Sequence, residues 1–113
     1  MRVRLGDISY ARSGDKGSSA NIGVIARTSI GYDILRDQLT AELVRTFFEP
    51  LGTTDVKRYE LPNLSALNFV LANVLERGAS LSLRIDAQGK GLGQALLEIE
   101  IEVPENQLSQ MKG

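Results

Sequence analysis

Cysteine, histidine and tryptophan are absent from these 113 residues. Without thiols and imidazoles, thiol nucleophiles, histidine-based triads and Cys/His zinc sites are excluded, and no metal-ligand set is expected. Proton chemistry near neutrality falls to Asp, Glu, Lys or Tyr, each of which needs a shifted pKa for it. No apolar run is long enough to span a bilayer, and the strand-like Met1-Arg2-Val3-Arg4 leaves no room for a leader, so a cytoplasmic chain with no membrane attachment is expected. An excess of one charge is lacking too. Lys and Arg number 13 against 14 Asp and Glu, a net charge of -1 that steers nothing toward nucleic acid, so any anion binding must be local. With 42% apolar residues the chain has the composition of one soluble domain, expected over residues 1–103, followed by a polar, loose tail over 104–113.

What is present is concentrated in one stretch. Ala11-Arg12-Ser13-Gly14-Asp15-Lys16-Gly17-Ser18-Ser19-Ala20-Asn21-Ile22-Gly23 packs charges, hydroxyls and glycines between two strand-like segments. Gly14 and Gly17 permit backbone angles closed to other residues, so N–H groups in such a loop can converge on an anion beside Arg12 and Lys16. An ordinary surface turn requires the same residue types.

Around this loop the patterning predicts the following elements. Residues 2–10 read as one strand with a bulge at Gly6-Asp7, Ile8 and Tyr10 continuing its apolar row. The continuous run Ile22-Gly23-Val24-Ile25-Ala26 reads as a central strand buried on both faces. Leu35, Leu39, Leu43 and Phe47 recur every fourth residue, predicting a helix over 33–49 with Asp33 as its N-cap, stopped by Pro50 and Gly52. Residues 55–61 suit an edge strand. A second helix is expected to open at Pro62-Asn63 and close at Arg77-Gly78, with Leu64, Leu67, Val70, Leu71, Val74 and Leu75 inward and Phe69 on an outward face of small residues, a surface for assembly. Alternation predicts strands at Leu81, Leu83 and Ile85 and again over 97–103, joined by the glycine-rich residues 86–93. The glutamates of the last strand would lie opposite Arg2 and Arg4 if the first and last strands are neighbours. This order predicts an α+β, ferredoxin-like two-layer sandwich: a mixed, mostly antiparallel sheet of about five strands with two helices on one face.

Three motif matches fail on context. Gly14-Asp15-Lys16-Gly17-Ser18 has Lys before Gly and a strand after it, unlike a Walker loop. Gly89-Lys90-Gly91-Leu92-Gly93 joins two strands where a dinucleotide fingerprint would open a helix. Ser13-Gly14-Asp15-Lys16 fits Ser-x-x-Lys, a motif that belongs on a helix in a much larger chain. There remains a cationic, hydroxyl-rich loop in which Asp15 is an acid, a base or a counter-charge to Lys16. Asn21 and Asn68, each beside an apolar segment, need hydrogen-bond partners wherever they are buried. Asp86 and Lys90 join only if the fold brings the second glycine-rich loop to the first.

Residues 12–27, from Arg12-Ser13-Gly14-Asp15-Lys16-Gly17 to Val24-Ile25-Ala26-Arg27, resemble the signature of the AtuA-like ferredoxin-fold family. So do Tyr59-Glu60-Leu61-Pro62-Asn63-Leu64, Ala66-Leu67-Asn68-Phe69-Val70-Leu71 and Leu83-Arg84-Ile85-Asp86-Ala87-Gln88-Gly89-Lys90. Glu76-Arg77-Gly78-Ala79 departs from the paired glycines common there. The resemblance implies bacterial catabolism of branched acyl-CoA or terpenoid acids and a large AtuA-type partner subunit; no cofactor is expected. The expected function is an accessory subunit that binds an anionic ligand or a partner through Arg12, Ser13, Gly14, Gly17, Ser18, Asn21, Asn68, Asp86 and Lys90, and that assembles as a homo-oligomer. The alternative is a hydratase or lyase acting on an acyl-CoA or carboxylate, with Asp15 moving a proton while Lys16 and Arg12 hold the anion.

Overall fold

The computed structural model describes residues 1–16, 19–51, 53–72 and 91–112. The predicted strand at Leu81–Ile85, the helix end at Arg77-Gly78 and most of the 86–93 connection lie outside them. The described elements are β1 (Arg2–Arg4), β2 (Ser9–Lys16), β3 (Ser19–Ala26), α1 (Ser29–Gln38), α2 (Ala41–Phe47), β4 (Asp55–Leu61), β5 (Ala66–Ala72), α3 (Gly91–Leu96), β6 (Glu100–Glu102) and α4 (Leu108–Met111). The class is α+β, as expected. The described strands form a four-stranded sheet ordered β2-β3-β5-β4 and a two-stranded sheet β1-β6, with every described pairing antiparallel.

The strand expected over 2–10 is two strands in two different sheets. A 3-10 turn at Leu5–Asp7 separates them, held by the Asp7 carboxylate accepting from the Arg4 N–H at 3.1 Å and by the Leu5 and Gly6 N–H groups donating to the Ile99 and Leu97 carbonyls. The turn shifts the phase, so Ile8 is buried while Tyr10 is exposed. β1 pairs with β6 in the register Arg2↔Glu102 and Arg4↔Glu100, which places the basic and acidic rows opposite each other as anticipated. Arg2 lies 3.9 Å from Glu100 and 3.8 Å from Glu102. At such exposure these pairs contribute little stability, but they fit one register only.

β3 is central and is buried on one face instead of two. Ala20, Ile22, Val24 and Ala26 point into the core and alternate with half-buried Ser19, Asn21, Gly23 and Ile25. The single helix expected over 33–49 is two. Thr28, not Asp33, caps α1, its hydroxyl accepting from the Gly31 N–H at 3.0 Å, and Thr40 caps α2 through the Leu43 N–H at 3.1 Å. A hydroxyl that can close a new N-terminus competes with continuing the old helix. The break turns Leu35, Leu39, Val44 and Phe48 into the core and leaves Leu43 and Phe47 partly exposed. Arg58 of β4 seals the end of α1, donating from Nη1 to the Arg36 and Leu39 carbonyls at 2.8 and 3.1 Å.

The largest departure is at 62–72. Pro62–Leu64 is a 3-10 turn, Ser65 takes the left-handed conformation (φ 50°), and Ala66–Ala72 is the strand β5 between β3 and β4. Phe69 is fully buried, so the assembly face built on an exposed Phe69 does not exist. Leu67, Phe69 and Leu71 satisfy a period of two as well as Leu67, Val70 and Leu71 satisfy a helical one. Two available sheet partners decide between them. β4 is an outer strand of the described sheet, as expected. After Pro104, a 3-10 turn and α4 bring Met111 into the core against α1, in place of a loose end.

Candidate functional site

The stretch dense in polar residues is an arm of the β2–β3 hairpin. Its register pairs Arg12 with Gly23, Ser13 with Ile22, Gly14 with Asn21, Asp15 with Ala20 and Lys16 with Ser19. Directly opposed residues of an antiparallel pair share a face, and successive residues alternate faces. Arg12 and Gly14 therefore lie on the face away from the core, with Asn21 and Gly23. Ser13 lies on the opposite face, the side on which Ala11 packs against the core. Asp15 and Lys16 are placed by backbone pairing alone, and Gly17, Ser18, Asp86 and Lys90 lie outside the described residues.

β5 extends both rows. Asn21 is opposite Val70, which is opposite Lys57; Gly23 is opposite Asn68, which is opposite Tyr59. Across the open face the rows thus read Gly14, Asn21, Val70, Lys57 and Arg12, Gly23, Asn68, Tyr59. Asn21 and Asn68 are half-buried and line one concavity of about 210 Å³ with Ser19, Ala20 and Val70. Gly14 makes room for one amide: a Cβ there would stand 2.9 Å from the Asn21 Oδ1. Among the described residues, no side-chain hydrogen bond or ion pair engages Arg12, Asn21, Asn68 or Lys57. Two neutral amides with both donor and acceptor capacity thus face a recess flanked by exposed cations. Such a set suits an oxygen-rich, anionic ligand.

The far end of the second glycine-rich segment meets β2 on the other side. Gly91, with φ +58°, stands where a Cβ would be 3.5 Å from the Ser13 Oγ, and a Cβ on Gly93 would be 3.3 Å from the Ala11 Cβ. The close approach of α3 to β2 favours glycine at 93, while at 91 it is the left-handed backbone that does so, and Ser13 belongs to that contact and not to the recess. Sequence reasoning missed Lys57 and Ser19 as neighbours of the asparagines, because the helix expected after Pro62 hid the β4–β5 pairing. Among the described residues no cluster of three acidic groups suits a metal, and no helix is long and apolar enough to cross a membrane.

Comparison with known proteins gives one match: the model of the AtuA ferredoxin-like domain matches residues 3–102. No curated protein and no solved structure matches the chain.

Proposed function

The chain belongs to the AtuA ferredoxin-like domain family, and on that premise we propose that it is an accessory binding domain whose open sheet face holds an anionic acyl compound, a CoA ester of a branched or terpenoid acid. The observation that carries this is the pair Asn21 and Asn68, which share one recess and are free of side-chain partners among the described residues. Carboxamide N–H groups donate to a thioester or carboxylate oxygen, while the Arg12 guanidinium, separated from Asn68 only by Gly23, meets a phosphate or carboxylate. The catabolic setting comes with the family resemblance and forms part of the proposal.

Thermal-shift titration with branched acyl-CoA esters tests it. A ligand that binds only the folded state at one hundred times its Kd adds about 2.7 kcal/mol of stability. Wild type should show that rise, and Asn68→Ala and Arg12→Ala should each lose most of it while keeping their ligand-free melting temperature within a few degrees. Equal shifts in all three proteins, or none with any ester or free acid, overturn the proposal.

A further inference from the structure

A second polar recess of about 340 Å³ lies at the outer edge of β2, lined by Arg4, Gly6, Tyr10, Arg27, Gln94 and Glu98 among others. It is at the other end of the strand from the asparagine recess. Tyr10 precedes Gly14 by four residues, a rise of about 14 Å along an extended strand.

The Arg27 side chain is fixed there. Its guanidinium carbon sits 4.2 Å from the centre of the Tyr10 ring. Nη1 donates to the Tyr10 hydroxyl at 3.2 Å and Nη2 to the Gly6 carbonyl at 3.3 Å. Stacking and two hydrogen bonds remove most of the rotamer freedom that a free arginine would lose on binding. No carboxylate pairs with Arg27 among the described residues, and the remaining N–H groups of its guanidinium have no partner there. The Arg4 side chain, also on the recess, pairs among the described residues with Glu98 alone, at 3.7 Å, with both side chains more than half exposed. An exposed pair of that length is weak enough for a competing anion to replace. Among the described residues the charged groups lining the recess are two guanidinium groups and one carboxylate, and Gln94 adds an exposed amide.

We infer that this recess is an oxyanion site, in which Arg27 provides a pre-oriented fork for a carboxylate or phosphate group and Arg4 turns from Glu98 to the same group. It is independent of the asparagine recess: Asn68→Ala leaves it intact, and changes at Arg27 leave the asparagines intact.

The test is titration of the ¹⁵N-labelled full chain with inorganic phosphate and, separately, acetate at constant ionic strength, following the backbone amides of Gly6 and Arg27 and the Arg27 Nε–H. Constant ionic strength removes general screening. A saturable shift confined to this recess, weakened about tenfold or more in Arg27→Gln, is expected for a charge-assisted fork. Should Arg27→Gln disturb the fold, the exposed Arg4→Gln variant gives the same comparison with a smaller loss. Saturation by phosphate and not acetate identifies a phosphate-bearing ligand, and the reverse a carboxylate; either supports the site. Linear, non-saturating shifts with both anions, or saturation unchanged in both variants, overturn it.

Discussion

Replacing Phe69 by Ala separates the strand from the helix that the sequence also permits at this position. In the strand, Phe69 is fully buried between Ile22 of β3 and Arg58 of β4, while Val70, one residue on, is half-exposed on the open face. Deleting a buried phenyl ring costs about 3–5 kcal/mol in lost transfer energy and cavity formation. A chain of this size has a stability of about 5–15 kcal/mol, so the variant loses from about a fifth to all of it. With an m-value of about 2 kcal/mol/M, the urea midpoint falls by roughly 1.5–2.5 M. Val70→Ala removes less volume from a site that water already reaches and costs about 1 kcal/mol or less. Far-UV circular dichroism during urea unfolding measures both. Because the helix inverts the order of the two positions, a larger loss at Val70 than at Phe69 refutes the strand.

Two further outcomes test local structure. Thr28→Ala removes the hydroxyl that caps α1 and should cost about 1 kcal/mol in the same urea assay, whereas Asp33→Ala, losing only an exposed ion pair to Arg36, should cost less than about 0.5 kcal/mol. Equal losses would return the helix start to Asp33. Met111→Ala should cost about 2–5 kcal/mol, since its side chain is fully buried, and a loss below about 0.5 kcal/mol would show that the C-terminal segment is not packed.

The fold class was legible because it depends on summed patterning, and the outer position of β4 because its residues are charged on both faces. The pairing of Arg2 and Arg4 with the glutamates of β6 was legible as charge complementarity alone. Several boundaries were not, among them the start of α3 at Gly91, where a plain connection between strands was expected, and the three that follow. The Thr40 cap is a single hydroxyl inside an unbroken four-residue stripe, and nothing in the stripe marks it. The turn at Leu5–Asp7 looks like a bulge because both shift phase by one residue; only the backbone partners supplied by Leu97 and Ile99 make it a break between sheets. At 62–72 the apolar residues fit two periods, and the choice belongs to β3 and β4, which are distant in sequence. That one error concealed the site as well as the strand. With residues 66–72 as a helix, Asn68 has no fixed relation to Asn21; with β5 paired to β3, Asn68 stands one row from it on the same face.

The glycines near Arg12 also act differently from what their letters invite. A loop that cradles an anion with backbone N–H groups needs successive N–H groups turned to one side, which requires residues outside the extended region. Gly14 lies within β2, where successive N–H groups point to opposite sides, and among the described residues Gly91 is the one glycine with a positive φ. Residues 12–16 therefore cannot form such a nest while they pair with β3. What Gly14 contributes is the absence of a side chain: it leaves space on the open face that the Asn21 amide occupies. Gly23 likewise leaves a gap in the row between Arg12 and Asn68, so a group bound at one meets no intervening side chain on its way to the other. The polar density of the stretch is thereby divided by strand alternation, Ser13 going to the α3 contact and Arg12 to the open face beside the recess. On the proposed reading, the ligand would be met by side chains on neighbouring strands, and its affinity would then depend on the β3–β5 register as much as on any residue of the hairpin.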